Sequence, residues 1–157
     1  MINLIGTYEA KTDAKGRVMM PVAFKKQLLS VLDGDFVLKR SMFQPCLELY
    51  PMQEWEKVMG QVSKLNRFNK KNNDFIRRLT AGVKVLNVDA SGRVLLAKDL
   101  VSFAGIKKDV VLSSSISFIE IWDKDAYESA VADEDGMLAD LAEEVMGNVN
   151  LDADGIS

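Results

Sequence analysis

Histidine does not occur among the 157 residues. Its absence removes the commonest general base, the usual partner of a serine or cysteine nucleophile and the commonest transition-metal ligand. The catalytic chemistry left open is that of carboxylates, either Mg²⁺-dependent phosphoryl transfer or a hydrolase built on two acids. Cysteine occurs once, at Cys46, which excludes an internal disulfide and a cysteine cage for zinc. A lone thiol in such a chain reads as a small buried core residue. Apolar runs are short: none approaches the ~20 residues of a membrane span. The opening stretch MINLIGTYEAK has neither a basic start nor the long apolar run of a signal peptide. With 48% apolar residues, the expectation is a cytoplasmic globular protein of one ordinary domain, or of two very small ones that share a core.

Positive charge is almost missing from the end of the chain. Residues 123–157 hold eleven acids and one lysine, while residues 1–122 hold nineteen bases against twelve acids. The formal net charge of −3 therefore conceals a basic body and an acidic tail. A basic body suits a polyanionic partner. The tail suits solubilisation, binding to another protein, or competition for the basic face.

What the chain does have is a repeat. TDAKGRVMMP from Thr12 is answered by VDASGRVLLA from Val88, GDFVLKR from Gly34 by KDVVLSS from Lys108, and CLELYPMQEW from Cys46 by FIEIWDKDAY from Phe118. Asp35 thereby matches Asp109, and Leu47 to Tyr50 match Ile119 to Trp122. The short apolar runs after each glycine and the alternation in LELY and IEIW have the period of half-buried strands. PVAFKKQLLSVL starts a short helix at Pro21, with Val22, Leu28, Leu29 and Leu32 as its expected apolar face, and AKDLVSFAG is the shorter counterpart, ending at Gly105. Each repeat thus reads strand, turn, strand, short helix, strand, strand.

Helices are expected between and after the repeats. Residues 52–65 place Trp55, Val58, Met59 and Val62 on one side, and residues 73–79 turn Phe75, Ile76 and Leu79 inward. The joint KLNRFNKKNND carries Lys64, Arg67, Lys70 and Lys71, with Arg77 and Arg78 following. After the second repeat come helices over residues 124–131 and 137–146, the latter with Leu138, Leu141 and Val145 as its stripe. The final GNVNLDADGIS has the composition of a disordered end. Neither repeat alone buries enough apolar surface to be stable, so two strand-rich halves packed about a local twofold axis is the economical arrangement.

The doubled turn has a physical reason at each place. Asp13 and Asp89 accept backbone N–H bonds as Asx-turn residues, Gly16 and Gly92 supply a positive φ, and Arg17 and Arg93 open the next strand. Three uses stay open at this point. One is a hairpin turn closed by an Asp–Arg pair. Another is a polyanion-binding face of two symmetric loops with Lys11, Lys15 and Arg17 clustered in the first. The third is a Mg²⁺-dependent phosphohydrolase that brings Asp13 and Asp89 together as a carboxylate pair.

The two Asp-x-x-Gly-Arg phrases, CLELYPMQEW after the first unit, IEIW closing the second and the segment from Ala104 to Leu112 together resemble the MraZ family, bacterial proteins made of two SpoVT–AbrB-type swapped-hairpin units. The resemblance covers residues 5–146. It implies an α+β fold in which two tandem swapped-hairpin units form a pseudo-twofold β-rich core with flanking helices: a first unit at 5–56, connecting helices at 57–80, a second unit at 81–128 and an acidic helix and tail at 129–157. It also implies a DNA-binding transcriptional regulator of the division and cell-wall gene cluster, nucleoid-associated and without catalysis, metal or cofactor. The partners it implies are double-stranded promoter DNA with short direct repeats, and further copies of the chain in a ring, typically of eight. Carried over by position, Lys15, Arg17 and Arg93 contact DNA with Lys11 beside them, while Asp13, Gly16, Asp89 and Gly92 shape the loops. Ser91 stands where the first loop has Lys15, and Ala97 where it has Pro21, so more is expected of the first loop. A ring-forming protein-interaction module without DNA readout is the alternative. Its partner would meet the acidic helix or the basic joint.

Overall fold

The computed structural model of the chain describes residues 2–147; the rest of the stretch expected to be disordered, from residue 148 on, lies outside them. The first repeat gives β1 (Thr7–Lys11), β2 (Arg17–Met19), α1 (Val22–Gln27), β3 (Asp35–Arg40) and β4 (Leu47–Pro51), then α2 (Met52–Val62) and α3 (Lys70–Leu79). The second gives β5 (Lys84–Asn87), β6 (Arg93–Leu95), α4 (Lys98–Ala104), β7 (Asp109–Ser115) and β8 (Phe118–Asp123), then α5 (Lys124–Val131) and α6 (Leu138–Gly147). The fold is α+β, with the same order of elements written twice.

The outer strands are exchanged between the repeats. One antiparallel sheet runs β1-β7-β8-β4-β3-β5, so β1 of the first repeat pairs with β7 of the second, and β5 of the second pairs with β3 of the first. At the middle, β4 meets β8 with Glu48 opposite Glu120. A separate ribbon joins β2 to β6 with Val18 opposite Val94. In both places the central residue faces its own counterpart in the internal repeat and its neighbours face each other's counterparts, as a local twofold axis requires.

Alternation along the strands sends Phe36, Leu38, Leu47, Leu49, Val110, Leu112, Ile119 and Ile121 to one face of the sheet. There they meet Val18, Met20, Val94 and Leu96 from the ribbon region, and Phe24, Leu28 and Leu100 from the two short helices. Burying one such large side chain contributes about 1.5–3 kcal/mol, and both repeats contribute to each wall of this core.

On the other face Tyr50 stacks on Phe118 at 4.5 Å and meets Trp55 of α2 edge-on at 5.5 Å. Glu48 and Glu120 are like charges directly opposed, an arrangement that destabilises a sheet unless it is compensated. The buried Lys39 ammonium lies 3.4 Å from Glu48, the Tyr50 hydroxyl donates to the same carboxylate at 3.0 Å, and the Trp122 indole N–H donates to Glu120 at 3.0 Å. Cys46 is buried as expected. Burial, with Glu120 and Glu48 adding to it, pushes its thiol up to about 12, so at neutral pH it carries no thiolate.

Two helix faces differ from expectation. Phe24 and Leu28 are the buried residues of α1 and its C-cap, whereas Val22 and Leu29 are 64% and 73% exposed. Six residues make less than two turns. Once Phe24 and Leu28, at i and i+4, take the inward side, Val22 and Leu29 fall on the opposite one. Phe75 of α3 also points outward, while Leu79 is buried.

The chain divides into two compact units, one through Tyr127 and one from Glu128 onward. In the second unit the stripe of Leu138, Leu141 and Val145 is present on α6, and all three side chains are more than half exposed. Among the described residues no helix is long and apolar enough to cross a membrane.

Candidate nucleic-acid interface

Each turn is built by its aspartate. Asp13 Oδ1 accepts the backbone N–H of Lys15 at 2.9 Å and that of Arg17 at 2.8 Å, and its Oδ2 accepts Arg17 Nε at 2.7 Å. Asp89 repeats the pattern with the backbone of Ser91 and Arg93 at 2.9 and 2.8 Å and with Arg93 Nε at 3.1 Å. Gly16 and Gly92 hold φ of +83° and +86°, which other residues resist. The turns are then tied across the repeats: Leu96 N–H donates to the Gly16 carbonyl and Met20 N–H to that of Gly92, both at 2.9 Å.

The backbone N–H of Arg17 holds the Asp13 carboxyl below its ordinary range, and that of Arg93 does the same for Asp89. A carboxylate whose folded pKa is depressed adds stability that is present above its unfolded value, about 4, and is lost only as the pH falls through the lower folded value. Amide resonances of Gly16 and Gly92 are therefore expected to hold steady down to the usual carboxylate range and to move below it. A midpoint at or above the free aspartate value would mean that these bonds do not hold the turns.

The ribbon presents a defined outer face. With Val18 and Val94 buried, alternation turns Arg17, Met19, Arg93 and Leu95 outward, Arg17 standing opposite Leu95 and Met19 opposite Arg93. The two arginine side chains are 29% and 31% exposed. Each spends Nε on its own turn. Arg93 is also shared, its Nη1 lying 3.9 Å from Asp13 Oδ2. The aspartates thus close their own turns, and among the described residues no group of three or more acids or cysteines stands together to hold a metal ion. Lys15 is exposed at the tip of the first turn. Lys11 stands on β1, 3.9 Å from Asp109 of β7.

Three lysines that the repeat pattern does not mark, Lys25, Lys98 and Lys107, stand beside the turns. Strand exchange seats each turn against the short helix of the other repeat. An open recess of about 580 Å³ at the first turn is walled by Lys98 and Lys107, and one of about 500 Å³ at the second by Lys25. The signal was present in the internal alignment, which pairs Lys25 with Val101, but only the crossed topology brings Lys25 to the second turn.

The family model described as "MraZ protein, putative antitoxin-like" matches the chain twice, at residues 4–78 and 79–149. The chain belongs to the MraZ family. A protein of Flavobacterium psychrophilum named "Transcriptional regulator MraZ" is 62% identical over 157 residues, the whole of both chains. One of the same name from Christiangramia forsetii is also 62% identical over the full length of both. A third, from Phocaeicola vulgatus, is 35% identical over 150 residues, covering 95% of this chain and 97% of its own. The two matched segments each contain one Asp-x-x-Gly-Arg turn, so family membership and the internal repeat describe the same division of the chain.

Proposed function

We propose that the chain is a sequence-specific DNA-binding transcriptional regulator, cytoplasmic and nucleoid-associated, that acts without cofactor or catalysis. The observation that carries this reading is the β2–β6 ribbon. The major groove of B-DNA admits a two-stranded ribbon, and arginine is the side chain best suited to the paired acceptors of a guanine edge. Arg17 and Arg93 lie on the exposed face of such a ribbon with Lys15 at its tip, in a chain whose relatives are named transcriptional regulators. Met19 and Leu95 between them suit the methyl groups of thymine.

One chain offers few bases to DNA, so affinity is expected to come from number. The proposed working form is a homo-oligomeric ring of eight chains, the number that the family resemblance implies, lying on short direct repeats upstream of division and cell-wall genes and gaining through effective concentration. The bare apolar stripe of α6, set among acids, and the basic joint at 64–78 with fully exposed Phe68 are the two surfaces proposed to meet between neighbouring chains. The same surfaces would serve the alternative reading, a protein-interaction module without DNA readout.

A gel shift on the DNA upstream of the chain's own gene, against scrambled DNA of equal length, separates the two. Preference for the native duplex is expected, and equal binding or none sinks the regulator reading. Replacing Arg77 and Arg78 with Gln is expected to leave that preference intact. Arg77 already pairs with Asp74 at 2.9 Å, and a charge run on an exposed helix is usually a solvated face. Loss of the preference with assembly preserved would move the DNA surface to α3.

A further inference from the structure

We propose that Lys25 is a phosphate-contacting residue of the second turn, standing in for the lysine that Ser91 leaves out. The inference rests on the DNA-binding reading and adds to it a residue that neither the turn sequence nor the family motif marks. The two recesses are counterparts under the local twofold axis. At the first, the turn carries Lys15 and the facing helix carries Val101; at the second, the turn carries Ser91 and the facing helix carries Lys25. The first recess is rich in lysine, with Lys15 on the turn and Lys98 and Lys107 on its walls, whereas Lys25 is the lysine that lines the second.

The position of the ammonium supports a use at the surface of the ribbon. Lys25 Nζ lies 3.5 Å from Met19 Sδ, and Met19 is on the outward face, opposite Arg93. The side chain lies so closely over Gly92 that a Cβ there would come within 2.6 Å of Nζ, so this glycine serves the lysine's approach as well as the turn's positive φ. A lysine in the last turn of a short helix has an ordinary use near that helix's own carbonyls. This one is instead directed across the neighbouring turn. Asp33 and Asp89 line the same recess, but Asp89 is engaged by its own turn. Among the described residues Lys25 makes no ion pair. A thioether is a weak acceptor, so the ammonium retains donors for a phosphate oxygen.

The test is relocation of the charge in the full-length protein, read as the salt dependence of binding to the native upstream duplex and to a scrambled one. Lys25→Val copies the first recess and keeps an apolar stem on α1. It is expected to weaken binding to both duplexes by the same factor and to lower the salt slope by about one for each second turn engaged. Adding Ser91→Lys to Lys25→Val is expected to restore the slope, and Lys25→Arg is expected to keep it. An unchanged slope in Lys25→Val overturns the proposal, as does a loss that Ser91→Lys does not restore, which would make Lys25 a brace for the turn. If Arg17→Ala binds DNA normally the parent reading fails. If Arg17→Ala is impaired and Lys25→Val is not, only this inference fails.

Discussion

Arg17→Ala is expected to bind its operator far more weakly than the parent while folding and assembling as before. The arginine does two things that the structure separates. Its Nε closes the turn on Asp13, and its side chain stands on the outer face of the ribbon, where the terminal nitrogens are proposed to meet an acceptor on DNA. The first is dispensable, because the backbone N–H groups of Lys15 and Arg17 already saturate Asp13 Oδ1, and exposed ion pairs contribute little to stability. The second carries the loss. A guanidinium held by one nitrogen is orientated in advance for bidentate bonding with the others, and each such base contact is worth about 1–3 kcal/mol of discrimination. Every chain engaged on the repeats carries the change, so the deficit multiplies, and it should be larger on operator than on scrambled DNA. Arg93→Ala is expected to cost less, because Arg93 lies between two carboxylates, its own Asp89 and Asp13 of the other turn. Lys15→Ala, if it removes a phosphate contact alone, weakens both kinds of DNA alike and flattens the salt slope. Anisotropy on both duplexes, with sedimentation of the same samples, checks all three. Wild-type affinity in an assembled Arg17→Ala protein would place the DNA surface elsewhere.

The turns were legible in the sequence because their chemistry is local. An aspartate, a glycine three positions on and an arginine next specify an Asx turn without help from the rest of the fold, and both copies adopt it with bond lengths that agree closely. The strands were legible because their alternation is set by one wall of a core, and the internal alignment already matched the residues that later met across the axis. Features that depend on the crossing of the two repeats were not. The inward face of α1 is chosen by the core beneath Phe24 and Leu28, and so short a helix has too few turns to display a period of its own. Lys25 reads as one more basic residue at the end of a short helix until strand exchange sets it over Gly92. The stripe of α6 was visible as a pattern. A period reveals that a helix has an apolar side, and it does not reveal whether that side is covered within the same chain.

Reversing charge on α6 and on the basic joint in separate chains is expected to abolish assembly in each and restore it only on mixing. Residues 128–147 carry seven acids and no lysine or arginine, while residues 64–78 carry six bases against one acid. On α6, Asp140 and Glu143 flank exposed Leu138, Leu141 and Val145. On the joint, Lys70, Lys71 and Arg78 make no ion pair among the described residues, beside exposed Phe68 and Phe75. An apolar stripe rimmed by one sign and an apolar patch rimmed by the other suit a head-to-tail contact, which closes into a ring when the rotation between neighbours allows. With the eight chains that the family resemblance implies, the parent is expected to sediment at roughly 140 kDa, at 17.5 kDa each. In a chain with Asp140→Lys and Glu143→Lys, α6 itself carries two lysines against one acid, so the rim of its stripe has the same sign as the joint. With Lys70→Glu, Lys71→Glu and Arg78→Glu, the joint carries four acids against three bases and is repelled by the acidic α6. Like charges across each contact then oppose self-assembly in either variant. Mixed in equal amounts, each variant offers the other a complementary surface at both ends, and strict alternation closes a ring with an even number of chains. Assembly of either variant alone at the parent's size, or failure of the mixture to assemble, would remove these two surfaces from the interface and leave the stripe of α6 to a different partner.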